Sequence, residues 1–338
     1  MKKNKDEKID FVVTYLDGTD PDWLKEKAKY SHESDDLLGN DEARFRNMDN
    51  FEYWFRAVER YAPWVNKIHV VTYGHLPSWL NTAHPKLQIV KHTDYMAQNY
   101  LPTFNSNALE INMDKIPDLS ERFVNFNDDL FLNAPVSPDD FFKQDLPVLQ
   151  SMATPILPSE AFNVILFNNI LALNELPTDK KKLFQLKNYS LRNGLFVVAA
   201  NLLMVPIFLY MKKFLGYRPD HLAQPFTKKI VRELRELAPQ YFEAISESRF
   251  RDLDLPNIWF VLDYMRATGQ FVPHNSFKFG QLIQMAPKTN YTKLFASRLK
   301  ILCINDGSSQ TLPDFKGEKE RLNHALQEKF PQKSEFEK

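Results

Sequence analysis

An α/β protein with a mainly parallel sheet and a helical insertion is what this sequence predicts, on three observations. Through the first 150 residues, apolar β-branched runs alternate with runs of helical period, the pattern of strands joined by crossover helices. Polar strings, DGTD, YGH and NDD, follow three of the four strand-like runs. From about residue 150 to 217 the pattern turns helical and apolar. The 338 residues suffice to bury a substantial core, as one large domain or two close lobes.

The elements follow in chain order. Ile9 to Leu16 is apolar and β-branched, ends in Asp17-Gly18, and reads as a buried strand. Met48 to Tyr61 sets Phe51, Phe55 and Val58, with the neighbouring Trp54 and Tyr61, on one helical face. Ile68–Thr72, Leu87–Val90 and Arg122–Asn127 read as three further strands, with a helix at Asn105–Lys115 between the last two. A sheet of this kind binds ligands outside the carboxyl ends of its strands, so the three polar strings are expected to converge on one crevice. Later come a helix at Phe226–Leu237 with basic residues on its exposed face, a helix at Ile258–Thr268, and a short strand at Ile301–Ile304.

Leu195 to Met211 is nearly all apolar, with Arg192 before it and Lys212 and Lys213 after. It falls short of the roughly 20 residues a membrane-spanning helix needs, and it contains Asn201 and Pro206. A span is one reading; a buried or membrane-surface helix pair with basic flanks is the preferred one. Disorder is expected only at the lysine-rich start and in the charged tail after Leu312.

Composition removes several function classes. Lys plus Arg equals Asp plus Glu at 43 each, which argues against a global nucleic-acid-binding surface. The single cysteine, Cys303, excludes an intramolecular disulfide framework and a multi-cysteine zinc site, and it suits a reducing cytoplasm. No secretory apolar region follows MKKNKDEK, so export by a signal peptide is not expected. With nine glycines and no GxGxxG or GxxxxGK string, neither dinucleotide-fold nor P-loop phosphate binding is supported.

Asn127-Asp128-Asp129 is the sharpest local signal. Two adjacent carboxylates just past a buried strand offer hard oxygens suited to Mg²⁺ or Mn²⁺, which can neutralise a diphosphate. Adjacent side chains point different ways, so one is expected to ligate and the other to act through water or a neighbouring contact. A solvated turn is the alternative, because Asn and Asp are common turn residues. Asp10, Asp17 and Asp20 bracket the first strand end, where Asp17-Gly18 also reads as a turn and Asp20-Pro21 as a helix start. Arg44 and Arg46 can clamp phosphate or simply face solvent. His221, in RPDHLAQPF, has an imidazole suited to taking a proton from a hydroxyl near neutral pH, with a structural role between prolines as the alternative. Arg249 and Arg251, in SRFRDLD, form either an oxyanion clamp or a salt-bridged helix start.

Together these strings resemble the Stealth family of sugar-phosphate transferases, which includes bacterial capsular polysaccharide phosphotransferases and the eukaryotic lysosomal-enzyme N-acetylglucosamine-1-phosphotransferase. Four blocks match in order: IDFVVTYLDGTDPDWL at 9–24; a block running from RFRNMDN through YLPTFNSNALE to FVNFNDDLFL at 44–132; RPDHLAQPFTKKIVREL at 218–234; and SRFRDLD with the later CINDG at 303–307. The second block is long and specific. Ala223 stands where the family commonly has proline, and Asp17 where some members have Asn.

The resemblance implies a Rossmann-like, glycosyltransferase-A-like core. It implies a nucleotide-sugar-binding α/β part at 6–150, an apolar insertion at 151–217, the remainder of the catalytic domain at 218–312, and a charged tail at 313–338. It also implies a reaction in which an acceptor hydroxyl attacks the β-phosphorus of a UDP-sugar, releasing UMP and leaving a phosphodiester. On that basis Asp128 and Asp129 hold the metal, His221 is the general base and Arg251 meets the phosphate. Asp10, Asp17, Arg44, Asn305 and Asp306 lie around the nucleotide, donor or metal. The expected partners are the UDP-sugar, a lipid-linked or growing polysaccharide acceptor, other capsule-assembly enzymes and the inner face of the cell membrane, from the cytoplasm, with no nucleic acid.

Three other readings compete. A glycosyltransferase of similar fold would also use a UDP-sugar and a divalent ion, but would release UDP. A non-catalytic capsule-assembly scaffold bound to membrane through residues 195–213 would leave NDD, His221 and the arginines without a common task. A nucleotidyltransferase would lack its glycine-rich nucleotide loop.

Overall fold

Four apolar runs build the centre of the chain. In the computed structural model, which describes residues 8–31, 46–306, 312 and 314–338, they are Ile9–Tyr15 (β1), Ile68–Thr72 (β2), Leu87–Lys91 (β3) and Arg122–Phe126 (β4). Arg44 and the lysine-rich start as far as Glu7 lie outside the described residues. β1 pairs in parallel with β2, Phe11 opposite Ile68, and with β4, Ile9 opposite Arg122; β2 pairs in parallel with β3. Leu130–Leu132 (β5), Phe142–Lys143 (β6) and Leu146–Leu149 (β7) follow, and Gln224–Thr227 (β8) closes the main sheet antiparallel to β4. The main sheet therefore runs β3-β2-β1-β4-β8, the mainly parallel α/β arrangement expected. Val272–Pro273 (β9) lies beside β7, while Gly280–Gln284 (β10) and Ile301–Asn305 (β11) join β5 in a small mixed sheet.

Period-two alternation sends neighbouring side chains to opposite faces of a strand, and both faces are covered. Phe11, Val13, Val124 and Phe126 pack with the helix Phe51–Tyr61 and with the C-terminal residues Leu322, Leu326 and Phe330. Val12, Val71 and Phe123 pack with the helices Ala161–Glu175, Lys228–Leu237 and Trp259–Thr268. This double coverage explains why β1, β2 and β4 read as mainly apolar runs without polar alternation.

Several elements differ from expectation. The helix expected from Phe226 begins at Lys228, because Gln224–Thr227 is a strand. Pro225 lacks an N–H and holds the preceding residue extended, which an edge strand tolerates. Thr227 then caps the helix, its Oγ1 accepting from Ile230 N at 3.2 Å. The helix expected over Asn105–Lys115 breaks into Ser106–Glu110 and a 3₁₀ turn at Met113–Lys115.

The stretch after Leu312 is not a loose tail. Phe315–Lys329 is a helix whose Leu322, Ala325 and Leu326 are buried. The last residues are clamped by Arg56, which donates from Nε and Nη2 to the Glu337 carboxylate at 2.8 and 2.7 Å. That bidentate geometry is a strong form of ion pair. The apolar stretch from Leu195 is one 17-residue helix, Leu195–Met211, and not a pair. Among the described residues no helix is long and apolar enough to cross a membrane.

Candidate active site

The carboxyl ends of β1, β2 and β4 meet as the sequence predicts. Just past β1, Asp17 Oδ1 accepts from Thr19 N at 3.0 Å and from Thr19 Oγ1 at 2.6 Å. Its own N–H donates to His75 Nε2 at 2.7 Å, joining DGTD to the YGH string after β2. Burial raises the Asp17 carboxyl, but the Thr19 hydrogen bonds, with His75 and the Asn47 side chain, outweigh this and hold it low. Asp17 therefore stays ionised. Burial pushes the Tyr15 phenol up to about 12, helped by the negative charges of Asp17, Asp128 and Asp49. The NDD carboxylate thus shares one electrostatic neighbourhood with the end of β1.

NDD is held from its other side by β11. The antiparallel register sets Cys303 opposite Leu130, and Ile304 N donates to Asp129 O at 2.9 Å. Asn305 Nδ2 and Cys303 Sγ then donate to Asp129 Oδ2 at 3.3 and 3.4 Å. Asp128 keeps an exposed surface. Even so, the protein crowding its carboxyl, the charge of Asp129 and that of Asp306 push it up to about 7. Burial also raises Asp129, against the opposing pull of Asn305 and Cys303.

These residues fit a divalent cation. Among the described residues Asp129 Oδ1 is buried with no hydrogen-bond partner, and like charges crowd Asp128. Both conditions are relieved by a hard cation, whose ligands of choice are carboxylate oxygens. Among the described residues no three His, Cys, Asp or Glu side chains converge as a ready-made cage. Two carboxylates with water and diphosphate oxygens completing the shell is the usual pattern for Mg²⁺.

His221 enters at the same end of the sheet. Asn125 of β4 lies opposite Gln224 of β8, their side chains hydrogen-bonded at 3.4 Å. Three residues farther along, Asp128 lies past the end of β4 and His221 before the start of β8. The imidazole sits between Phe162 and Trp259, with ring centroids 4.9 and 5.1 Å away. Burial, then the positive charge of Arg218, lowers its pKa and keeps it neutral. Before it, Asp220 accepts from Arg218 Nη1 at 2.6 Å and from Ser276 Oγ at 2.9 Å, which fixes the loop. Nothing in residue spacing marked Phe162 or Trp259, because their helices carry no motif.

Arg251 is positioned from the DGTD side. Its Nη2 donates to Ser106 Oγ at 2.9 Å. Phe250 stacks on Phe104 at 5.3 Å, and Phe104 contacts Trp23 at 5.9 Å in the helix Pro21–Ala28 that follows DGTD. Asn105 Nδ2 donates to the carbonyls of Ser248 and Phe250, both at 3.1 Å. SRFRDLD is therefore pinned to the NSNALE segment rather than beginning a helix. One turn beyond Ser106, burial pushes Glu110 up to about 8. The sequence offered Glu110 only as a helix residue.

Asp10 is not part of this site. It lies near the opposite, amino-terminal end of β1 and is fully buried. Oδ1 accepts from Asn66 Nδ2 at 2.6 Å and Lys67 N at 3.1 Å; Oδ2 accepts from Ser120 N at 2.8 Å and pairs with His69 Nε2 at 3.1 Å. Asp10 ties together the segments that lead into β2 and β4. The expectation that it lies near a nucleotide is corrected: a carboxylate this fully satisfied is a structural hub.

Comparisons with known proteins agree with the blocks. The family description for Stealth protein CR2, conserved region 2, matches residues 44–149. The capsular polysaccharide phosphotransferase WcwK of Streptococcus pneumoniae is 39% identical over 98% of this chain and 99% of its own. The exopolysaccharide phosphotransferase cps2G of Lactiplantibacillus plantarum is 34% identical over 98% and 96%, and the receptor polysaccharide phosphotransferase WefC of Streptococcus oralis 36% over 98% and 99%. Among solved structures, the galactosyltransferase LgtC aligns at 12% identity over 96% of this chain and 98% of its own, with a TM-score of 0.40. Conserved region 2 and near-complete alignment to three phosphotransferases lead to one conclusion: the chain belongs to the Stealth family of polysaccharide phosphotransferases.

Proposed function

We propose that the protein transfers a hexose-1-phosphate or N-acetylhexosamine-1-phosphate from a UDP-sugar to a hydroxyl of a capsular or surface glycan. The observation that carries this reading is the convergence of Asp128 and Asp129, with Asp129 Oδ1 unpartnered among the described residues, on the sheet end that His221 borders. His221, neutral in its aromatic seat, takes the proton from the acceptor hydroxyl. The oxygen forms a bond to the β-phosphorus of the donor, and the bond from that phosphorus to the bridging oxygen of UMP breaks. UMP leaves with the electron pair, and the sugar is left in a phosphodiester. Arg251 neutralises charge on the transferring phosphate, and Asp17 and Asn305 help fix the donor. Asp128 and Asp129 hold Mg²⁺ or Mn²⁺, which supplies charge neutralisation to the diphosphate. Phosphoryl transfer asks mainly for positioning and charge stabilisation from a protein.

As part of the same proposal, the protein works at the inner face of the cell membrane, on a lipid-linked or growing polysaccharide and alongside other capsule-assembly enzymes; the polysaccharide is the part that the relatives' names support. The test is to incubate the protein and a divalent ion with a panel of UDP-sugars and an oligosaccharide or lipid-linked acceptor, then identify the released nucleotide. UMP with a phosphodiester product supports the proposal. UDP would make the protein a glycosyltransferase.

A further inference from the structure

We propose that the outer face of the helix Leu195–Met211 docks in the plane of a lipid bilayer rich in anionic headgroups. The helix buries only a narrow stripe, Val197, Asn201, Met204 and Phe208, spaced four, three and four residues apart. An ordinary surface helix shows solvent its polar side. This one shows solvent apolar residues: Leu195 and Leu203 are each 77% exposed and Tyr210 85%, with Phe196, Leu202 and Leu209 also exposed. The neighbouring 3₁₀ turns add Leu186 and Leu191. Contiguous exposed apolar surface of this kind marks an interaction site.

Charge decides what covers it. Residues 180–219 contain eight Lys and Arg and no Asp or Glu. Of these, Arg192 precedes the helix and Lys212 and Lys213 follow it, all three exposed. Anionic headgroups complement that pattern, whereas a second copy of this chain would press like charges together.

The helix is too short to cross, and its broadside attachment fits an in-plane seat. Asn201 Oδ1 accepts from Ala153 N and its Nδ2 donates to Ser151 O, both at 2.8 Å, holding the buried stripe to the body of the protein. The face also runs on to the base. Phe196 contacts Phe277 at 5.9 Å, Arg218 stacks on Phe277 at 4.3 Å, and Arg218 binds Asp220, next to His221. Docking thereby holds the His221 side of the crevice near the bilayer, where a lipid-linked glycan is presented. Only this last consequence rests on the proposed chemistry; the docking does not.

The experiment is flotation of the full chain with vesicles of phosphatidylcholine alone or mixed with phosphatidylglycerol. The wild-type protein should float with the mixed vesicles and much less with the neutral ones, and high salt should weaken the association. Leu203→Glu/Tyr210→Glu and Lys212→Glu/Lys213→Glu should each lower the bound fraction about ten-fold or more. Their melting curves should be unchanged, since all four side chains are exposed. Wild-type protein that ignores anionic vesicles, or a Leu203→Glu/Tyr210→Glu variant that binds them equally well, would overturn the proposal. So would a wild-type dimer, seen by light scattering, that this variant dissociates while no form binds vesicles. Protein that docks as described but releases no UMP would leave the proposal standing and remove the chemistry instead.

Discussion

Asn305 Nδ2 donates to Asp129 Oδ2 over 3.3 Å, joining residues 176 positions apart. The bond engages one carboxylate oxygen and leaves the other, Oδ1, buried and without a partner among the described residues. A carboxylate held this way has its rotamer fixed and one oxygen in reserve, which is how a ligand is prepared for an ion that arrives with its substrate.

Activity should accordingly depend on a divalent cation and on both carboxylates of NDD. Asp128→Ala or Asp129→Ala should cut turnover about 100-fold or more, because the diphosphate loses its charge partner. Steady-state rates measured across a Mg²⁺ and Mn²⁺ titration, with and without chelator, provide the check. Full turnover by both variants in chelator would remove the metal assignment.

Asp10 should behave as a stability residue. Asp10→Ala leaves the donors of Asn66, Lys67 and Ser120 facing an apolar gap, at a cost of about 3 kcal/mol or more in unfolding free energy. Denaturant unfolding should show that loss, while the KM for the donor in the protein that remains folded should stay close to wild type. A donor-binding defect without loss of stability would return Asp10 to the site.

The contrast between Asp10 and Asp128 marks how far the sequence could be read. Strand positions were legible because β1, β2 and β4 are buried on both faces, and such strands appear as mainly apolar runs without polar alternation. The convergence of DGTD, YGH and NDD was legible because parallel strands deliver their carboxyl ends to one edge. Asp10 misled because a carboxylate in an apolar strand suggests function; its place at the amino-terminal end of β1 argued otherwise, and its partners Asn66 and Ser120, distant in sequence, make it structural. The helix Phe315–Lys329 was hidden by its charge, since Leu322 and Leu326 bury a narrow stripe within a mostly polar segment. The aromatic seat of His221 needed two helices from separate regions, Phe162 and Trp259, and no spacing rule links them.

Glu110 gives a pH-dependent stability test. Its folded acid, pushed up to about 8 by burial, stands above the ordinary value of 4.5. Between those values the unfolded chain has already released its proton while the folded protein retains it. Stability from this group therefore falls as pH rises from 4.5 toward 8 and is not penalised below. Glu110→Gln should remove that slope and melt higher than wild type at pH 8, with little difference at pH 4.5. Parallel melting curves for the two proteins across this range would show that the carboxyl ionises freely in the fold.

His221 should separate chemistry from folding. A sugar hydroxyl is a poor nucleophile while it keeps its proton, and a positioned neutral imidazole typically contributes about 10²–10⁴-fold in rate. Burial and Arg218 lower the imidazole pKa, so the acidic limb of the pH–rate profile should lie below the ordinary histidine range. His221→Ala and His221→Asn should fold and bind UDP-sugar while turnover falls by that factor, and whatever activity remains should have lost the acidic limb. The competing role, a ring that merely fills the space between Phe162 and Trp259, predicts the opposite: a lower melting temperature and a rate preserved in the molecules still folded. Melting curves, donor binding and the pH–rate profile of one purified variant distinguish the two. Near-wild-type turnover in a well-folded His221→Ala protein would pass the role of base to Asp306, whose charge already acts on Asp128.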